Sequence, residues 1–152
     1  MPEWNIHNKW AEKLGISKET SDFVNGLIDF PQRCSEFIDF LKAYESSEPI
    51  YTKKVLPEDV LERFRVRHDK GRKAKTTMYL QFDFLKTKGS EFVKAWFLHH
   101  ALDYIKTAPI LSIEEVLERL EKRTMSCPEL EAVKDLIRSN STQILQDLES
   151  NS

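Results

Sequence analysis

The residues best suited to chemistry are four histidines and the aspartates beside them. His7 stands near the start of the chain. His68 is followed directly by Asp69, then by Lys70, Gly71 and Arg72. His99 and His100 are adjacent, and Asp103 follows within one helical turn. At i, i+4 on a helix, His99 and Asp103 share a face. An imidazole and a carboxylate placed together form either a metal site or a hydrogen-bonded orienting pair. The surrounding stretch is almost wholly apolar, so these groups need partners: an unpaired buried polar group costs about 1–3 kcal/mol. Nucleophile elbows, phosphate-binding glycine loops and Gly-x-Gly-x-x-Gly fingerprints are missing from the sequence, which removes the commonest hydrolase, nucleoside-triphosphatase and dinucleotide readings.

With its His-Asp pair followed by a glycine and a basic residue, the run His68-Asp69-Lys70-Gly71-Arg72 resembles the short motif of the HD superfamily of metal-dependent phosphohydrolases. The resemblance spans residues 7–103. It implies a helical fold in which His7, His68, Asp69 and Asp103 bind a divalent metal (Mn, Fe, Ni, Co or Mg), with His99 and His100 as further ligands. It also implies that Asp69 and Arg72 are catalytic, Arg72 meeting a substrate phosphate, and that an aspartate not bound to the metal acts as general base. The chain departs from the family's pattern in two places. The approach to the pair, Arg63-Phe64-Arg65-Val66-Arg67, is charged where the family has an apolar helix. The stretch from His7 to His68 is long, which makes residues 45–56 an insertion.

A second feature is the local reversal of charge between positions 63 and 75. Arg63, Arg65, Arg67, Lys70, Arg72, Lys73 and Lys75 face only Asp69 there, in a chain whose formal net charge is -2. Such a strip suits a phosphate-bearing ligand. In an enzyme it steers an anionic substrate. In a non-enzymatic helical module it grips a nucleic-acid backbone or an acidic protein partner.

The elements that must carry these residues read as helices. Ile6, Trp10, Ala11 and Leu14 give an apolar face over 5–15, stopped at Gly15. Ser17 caps a second helix carrying Phe23, Val24, Leu27 and Ile28. Pro31 suits the first turn of a third, with Cys34, Phe37, Ile38, Leu41 and Tyr44 at helical spacing. Residues 45–56 read as a loop, and Pro57-Glu58-Asp59 opens a helix ending near Arg67. Residues 78–85 fit strand and helix alike; helix is preferred because no second strand exists to pair with them. Tyr79, Phe82 and Phe84 could stack bases but suit a core better. Ser90 caps a long helix to about Lys106, apolar around most of its circumference and therefore central. Ser112-Ile113-Glu114-Glu115 is a capping box, and Pro128 opens a last helix to Leu148, with a frayed tail over 149–152.

Composition bounds the rest. At 152 residues, with 40% apolar and 11% aromatic side chains but only four glycines, the chain reads as one compact all-α domain of about seven helices. Cys34 and Cys127 lack CxxC spacing, which fits small hydrophobes in a reduced compartment. No basic-then-apolar leader opens the sequence, and the longest apolar run, Ala95 to Leu98, falls far short of the roughly 20 residues a membrane span needs. A cytoplasmic protein that does not enter membranes is expected.

Overall fold

The computed structural model describes residues 4–47 and 75–150. Among these residues the chain is all-α: eight α-helices and one 3-10 turn, with no strand. In order they are α1 (Trp4–Lys13), α2 (Lys18–Asp29), the 3-10 turn (Pro31–Arg33), α3 (Ser35–Ser47), α4 (Lys75–Lys88), α5 (Ser90–Thr107), α6 (Ile113–Arg123), α7 (Pro128–Ser139) and α8 (Ser141–Ser150). The ambiguous stretch 78–85 is helical within α4. The helix expected over 57–67 lies outside the described residues. No described helix is long and apolar enough to cross a membrane.

Contacts cluster into two units, one made of residues 1–25 with 89–152 and the other of residues 26–88. The boundary falls inside α2. In the second unit α3 packs on α4. Phe84 meets Phe37 and Phe40 there, with ring centroids 5.4 and 5.5 Å apart. Phe82 and Phe84 are buried, so they serve as core rather than as stacking surfaces.

The first unit is built around α5, which packs against α1, α6, α7 and α8. Val93, Ala95, Trp96, Phe97, Leu98, Ala101, Leu102 and Ile105 are all buried on it. A helix apolar on every side has neighbours on every side. Its partners are held by short-range chemistry. Gly15 closes α1 at φ +78°, a left-handed conformation that favours glycine. Ser17 Oγ accepts from Thr20 N at 3.1 Å at the start of α2. Ser112 and Glu115 form the reciprocal capping box of α6. From the far end, Asp147 Oδ2 on α8 accepts from Lys9 Nζ at 2.7 Å and from Trp10 Nε1 at 3.0 Å, tying the last helix to α1.

Four local expectations change. Gly89, at φ +131°, is the N-cap of α5, and Ser90 is already helical; only glycine takes that backbone readily. Pro31 opens the 3-10 turn instead of α3, because extended backbone at Cys34 separates the two. The single helix expected over 128–148 is two helices. Asn140 divides them, bonding back to Leu136 O through both its backbone N–H and its side-chain Nδ2, the kind of local bond that competes with helix propagation. The tail expected to fray from residue 149 is helical through Ser150.

Truncating Leu102, fully buried in α5, to alanine is expected to cost about 2–5 kcal/mol. Ser112→Ala should cost about 1 kcal/mol through the lost cap. Urea unfolding monitored by circular dichroism measures both.

Candidate functional site

His7 and Asp103 lie 96 positions apart in the chain, and the packing of α1 on α5 brings them together. His7 Nε2 is 3.9 Å from Asp103 Oδ1. His99 Nε2 is 3.6 Å from Asp103 Oδ2. The three side chains are 1–2% exposed, and one donor atom from each lies within 4.8 Å of the others. Both separations from the carboxylate are too long for hydrogen bonds. They suit atoms sharing a cation at roughly 2.0–2.2 Å from each.

The rings of His7 and His99 stack with centroids 4.1 Å apart and planes 4° from parallel. Lone pairs lie in the ring planes, so nitrogens in parallel planes do not converge on a point between them. Capture of one ion by both requires a ring to turn about its Cβ–Cγ bond.

His99 is held from behind by α2. Its Nδ1 lies 2.7 Å from Asn25 Oδ1. Asn25 Nδ2 donates to Asn8 Oδ1 at 3.2 Å, Ser21 Oγ donates to the same oxygen, and Asn8 Nδ2 donates to Asp22 Oδ1 at 2.8 Å. The placement of α2 follows from Glu91 in the first turn of α5. Glu91 accepts from Ser17 N at 2.7 Å and from Thr20 Oγ1 at 3.3 Å, while Phe23 meets Phe92 edge-on with centroids 5.7 Å apart. Ser17 and Asn25 are as far apart in sequence as Glu91 and His99. The helix α2 is thus pinned to α5 at its capped end and joined to it again at the histidine.

The site residues suggested by sequence divide into three groups. His7, His99 and Asp103 come together. His100 is buried but is not part of that trio among the described residues; its ring packs edge-on against Trp96, 4.7 Å between centroids. His68, Asp69, Arg63, Arg65, Arg67, Lys70, Arg72 and Lys73 lie outside the described residues, and Lys75 is the first residue of α4. Asn8, Ser21 and Asn25 were missed by sequence reasoning. The available signal was Ser21 and Asn25 at i, i+4 beside the apolar stripe of Val24, Leu27 and Ile28.

Compared with known proteins, the chain matches no family model, no curated protein and no solved structure. Its chemistry has to be read from the site itself.

Burial, chiefly, pushes the pKa of His7 down to about 3, and neither ring nitrogen has a hydrogen-bond partner among the described residues. At neutral pH His7 is therefore a neutral imidazole with a lone pair to offer. A cluster of two imidazoles and a carboxylate, closed to water, can bind a divalent cation of the Mn, Fe, Ni, Co or Mg class.

The depressed pKa also predicts acid lability. Unfolded His7 titrates near 6.5, so between pH 6.5 and about 3 the unfolded chain binds the extra proton. This contribution to stability is complete above pH 6.5 and is lost as pH falls towards 3. Urea midpoints measured from pH 7 to pH 4 should fall more steeply for the wild type than for His7→Phe. Equal slopes would remove His7 as the cause.

Proposed function

We propose that this chain is a metal-dependent phosphohydrolase acting on a small phosphorylated substrate, with His7, His99 and Asp103 among the ligands of its cation. The reading is carried by one observation: three buried metal-ligating groups from distant parts of the chain have donor atoms within 4.8 Å of one another. His7 offers its lone pair because burial keeps it neutral. Asp103 supplies a carboxylate to a site whose other donors are imidazoles. The enclosing helices exclude bulk water, which strengthens charge–charge attraction inside. When bound, the cation supplies Lewis acidity, lowering the pKa of its water toward neutrality and screening the phosphoryl oxygens. The resemblance to the HD superfamily adds His68, Asp69 and Arg72 to this reading. The cationic run 63–75 supports it too, as a cluster of positive charge in the sequence suited to an anionic substrate.

The test is a metal-stripped preparation assayed on generic phosphoesters with Mn²⁺ added back. Hydrolysis should vanish on chelation and return with the metal. Asp103→Ala and His7→Ala should each weaken Mn²⁺ binding at least about tenfold. Ligand at about 100 times its Kd stabilises by roughly 2.7 kcal/mol, so the wild-type Tm should rise by about 5–10 °C. A chain that retains no metal on purification and takes up none on addition refutes the proposal.

A further inference from the structure

We infer that Asn25 is a positioning residue, which holds His99 as the Nδ1–H tautomer so that its Nε2 lone pair is left for a cation bound beside Asp103. The inference rests on the reading of His7, His99 and Asp103 as a cation site, but its structural half stands separately.

The tautomer follows by elimination along a chain of hydrogen bonds. Asp22 is ionised: its hydrogen bond with Lys18, 2.7 Å from Lys18 Nζ, chiefly holds its carboxyl below the usual range. An ionised carboxylate only accepts. The Asn8 atom 2.8 Å from Asp22 Oδ1 must therefore be the amide nitrogen, which turns Asn8 Oδ1 towards Ser21 and Asn25. That oxygen also only accepts, so the Asn25 atom 3.2 Å away is again a nitrogen. Ser21 Oγ, 3.5 Å from the same nitrogen, is free to accept because its own proton goes to Asn8. Asn25 Oδ1 is left facing His99 Nδ1 at 2.7 Å, and a carbonyl oxygen at that distance requires a proton on the ring nitrogen. A ring that binds a cation is neutral, with one nitrogen donating and the other accepting; Nε2, 3.6 Å from Asp103 Oδ2, then carries the lone pair. A donor bond from the far ring nitrogen to an oxygen is the arrangement that fixes the orientation of metal-binding histidines. The partly exposed Asp22 thus sets the tautomer of a buried imidazole through two asparagines.

The experiment uses full-length protein labelled with ¹⁵N-histidine, stripped of metal, at pH 7. Long-range ¹H–¹⁵N spectra distinguish a protonated ring nitrogen from a bare one. The expected spectrum for His99 shows a protonated Nδ1 and a bare Nε2. A ring protonated at Nε2 alone, or at both nitrogens, overturns the inference, and this arm needs no variant. In Asn25→Leu the single tautomer should be lost, and Mn²⁺ affinity measured by calorimetry should fall roughly 10–100-fold. Asn25→Asp, which keeps the acceptor, should retain affinity within a few-fold. Unchanged Mn²⁺ binding by a folded Asn25→Leu also overturns the inference. Absence of Mn²⁺ binding in the wild type would sink the cation-site reading, with the spectrum still deciding the tautomer.

Discussion

A carboxylate inside a helical core is expensive: removed from water, it must be compensated by donors or by positive charge. Asp103 is such a group, buried on α5, the helix around which the first unit is built. Two imidazoles face it, one from α1 and one from its own helix, a turn away. Burial keeps His7 in its neutral form, so it offers a lone pair rather than a counter-charge. Donor atoms of two imidazoles and a carboxylate thus gather within 4.8 Å of one another in the interior, and the proposed cation site is built on that convergence.

Holding such groups in place requires elements whose register cannot drift. The burial of α5 on all sides fixes its rotation, because any turn would move large side chains such as Trp96 and Phe97 out of close packing. The helix α2 gains the same fixity by a different means. Glu91 anchors its capped first turn and Asn25 meets His99 eight residues on, so two polar contacts with an aromatic pair between them define both its direction and its rotation. Apolar packing sets the position of the helices here, and polar pairing sets their register.

Much of this was legible in the sequence, for identifiable reasons. Caps at Gly15, Ser17 and Ser112 are local chemistry and appear where their residue types place them. The central role of α5 followed from apolar residues on all its faces, and the shared face of His99 and Asp103 from helical periodicity alone. What could not be read was convergence across the chain. Nothing in the spacing of His7 says that α1 lies over the last turns of α5; only the packing does. Asn25 was hidden for another reason, since an amide on an amphipathic helix looks like a surface residue until its partner is known. The split at Asn140 was overlooked although Ser139-Asn140-Ser141 interrupts the apolar stripe there, because Ile144 and Leu148 resume it, and periodicity does not register a side chain that bonds to its own backbone.

The contact of Asp147 with Lys9 and Trp10 has a bearing on how this molecule tolerates shortening. The carboxylate on α8 takes hydrogen bonds from two consecutive residues of α1, less than one turn beyond His7. The final ten-residue helix, remote from the histidines in sequence, therefore acts as a strut for the helix that presents one of them. A chain cleaved at the Asn140 joint would keep every donor of the buried cluster yet lose the polar clamp on one of its walls. Proteolytic trimming at that joint would loosen the site without removing any residue from it.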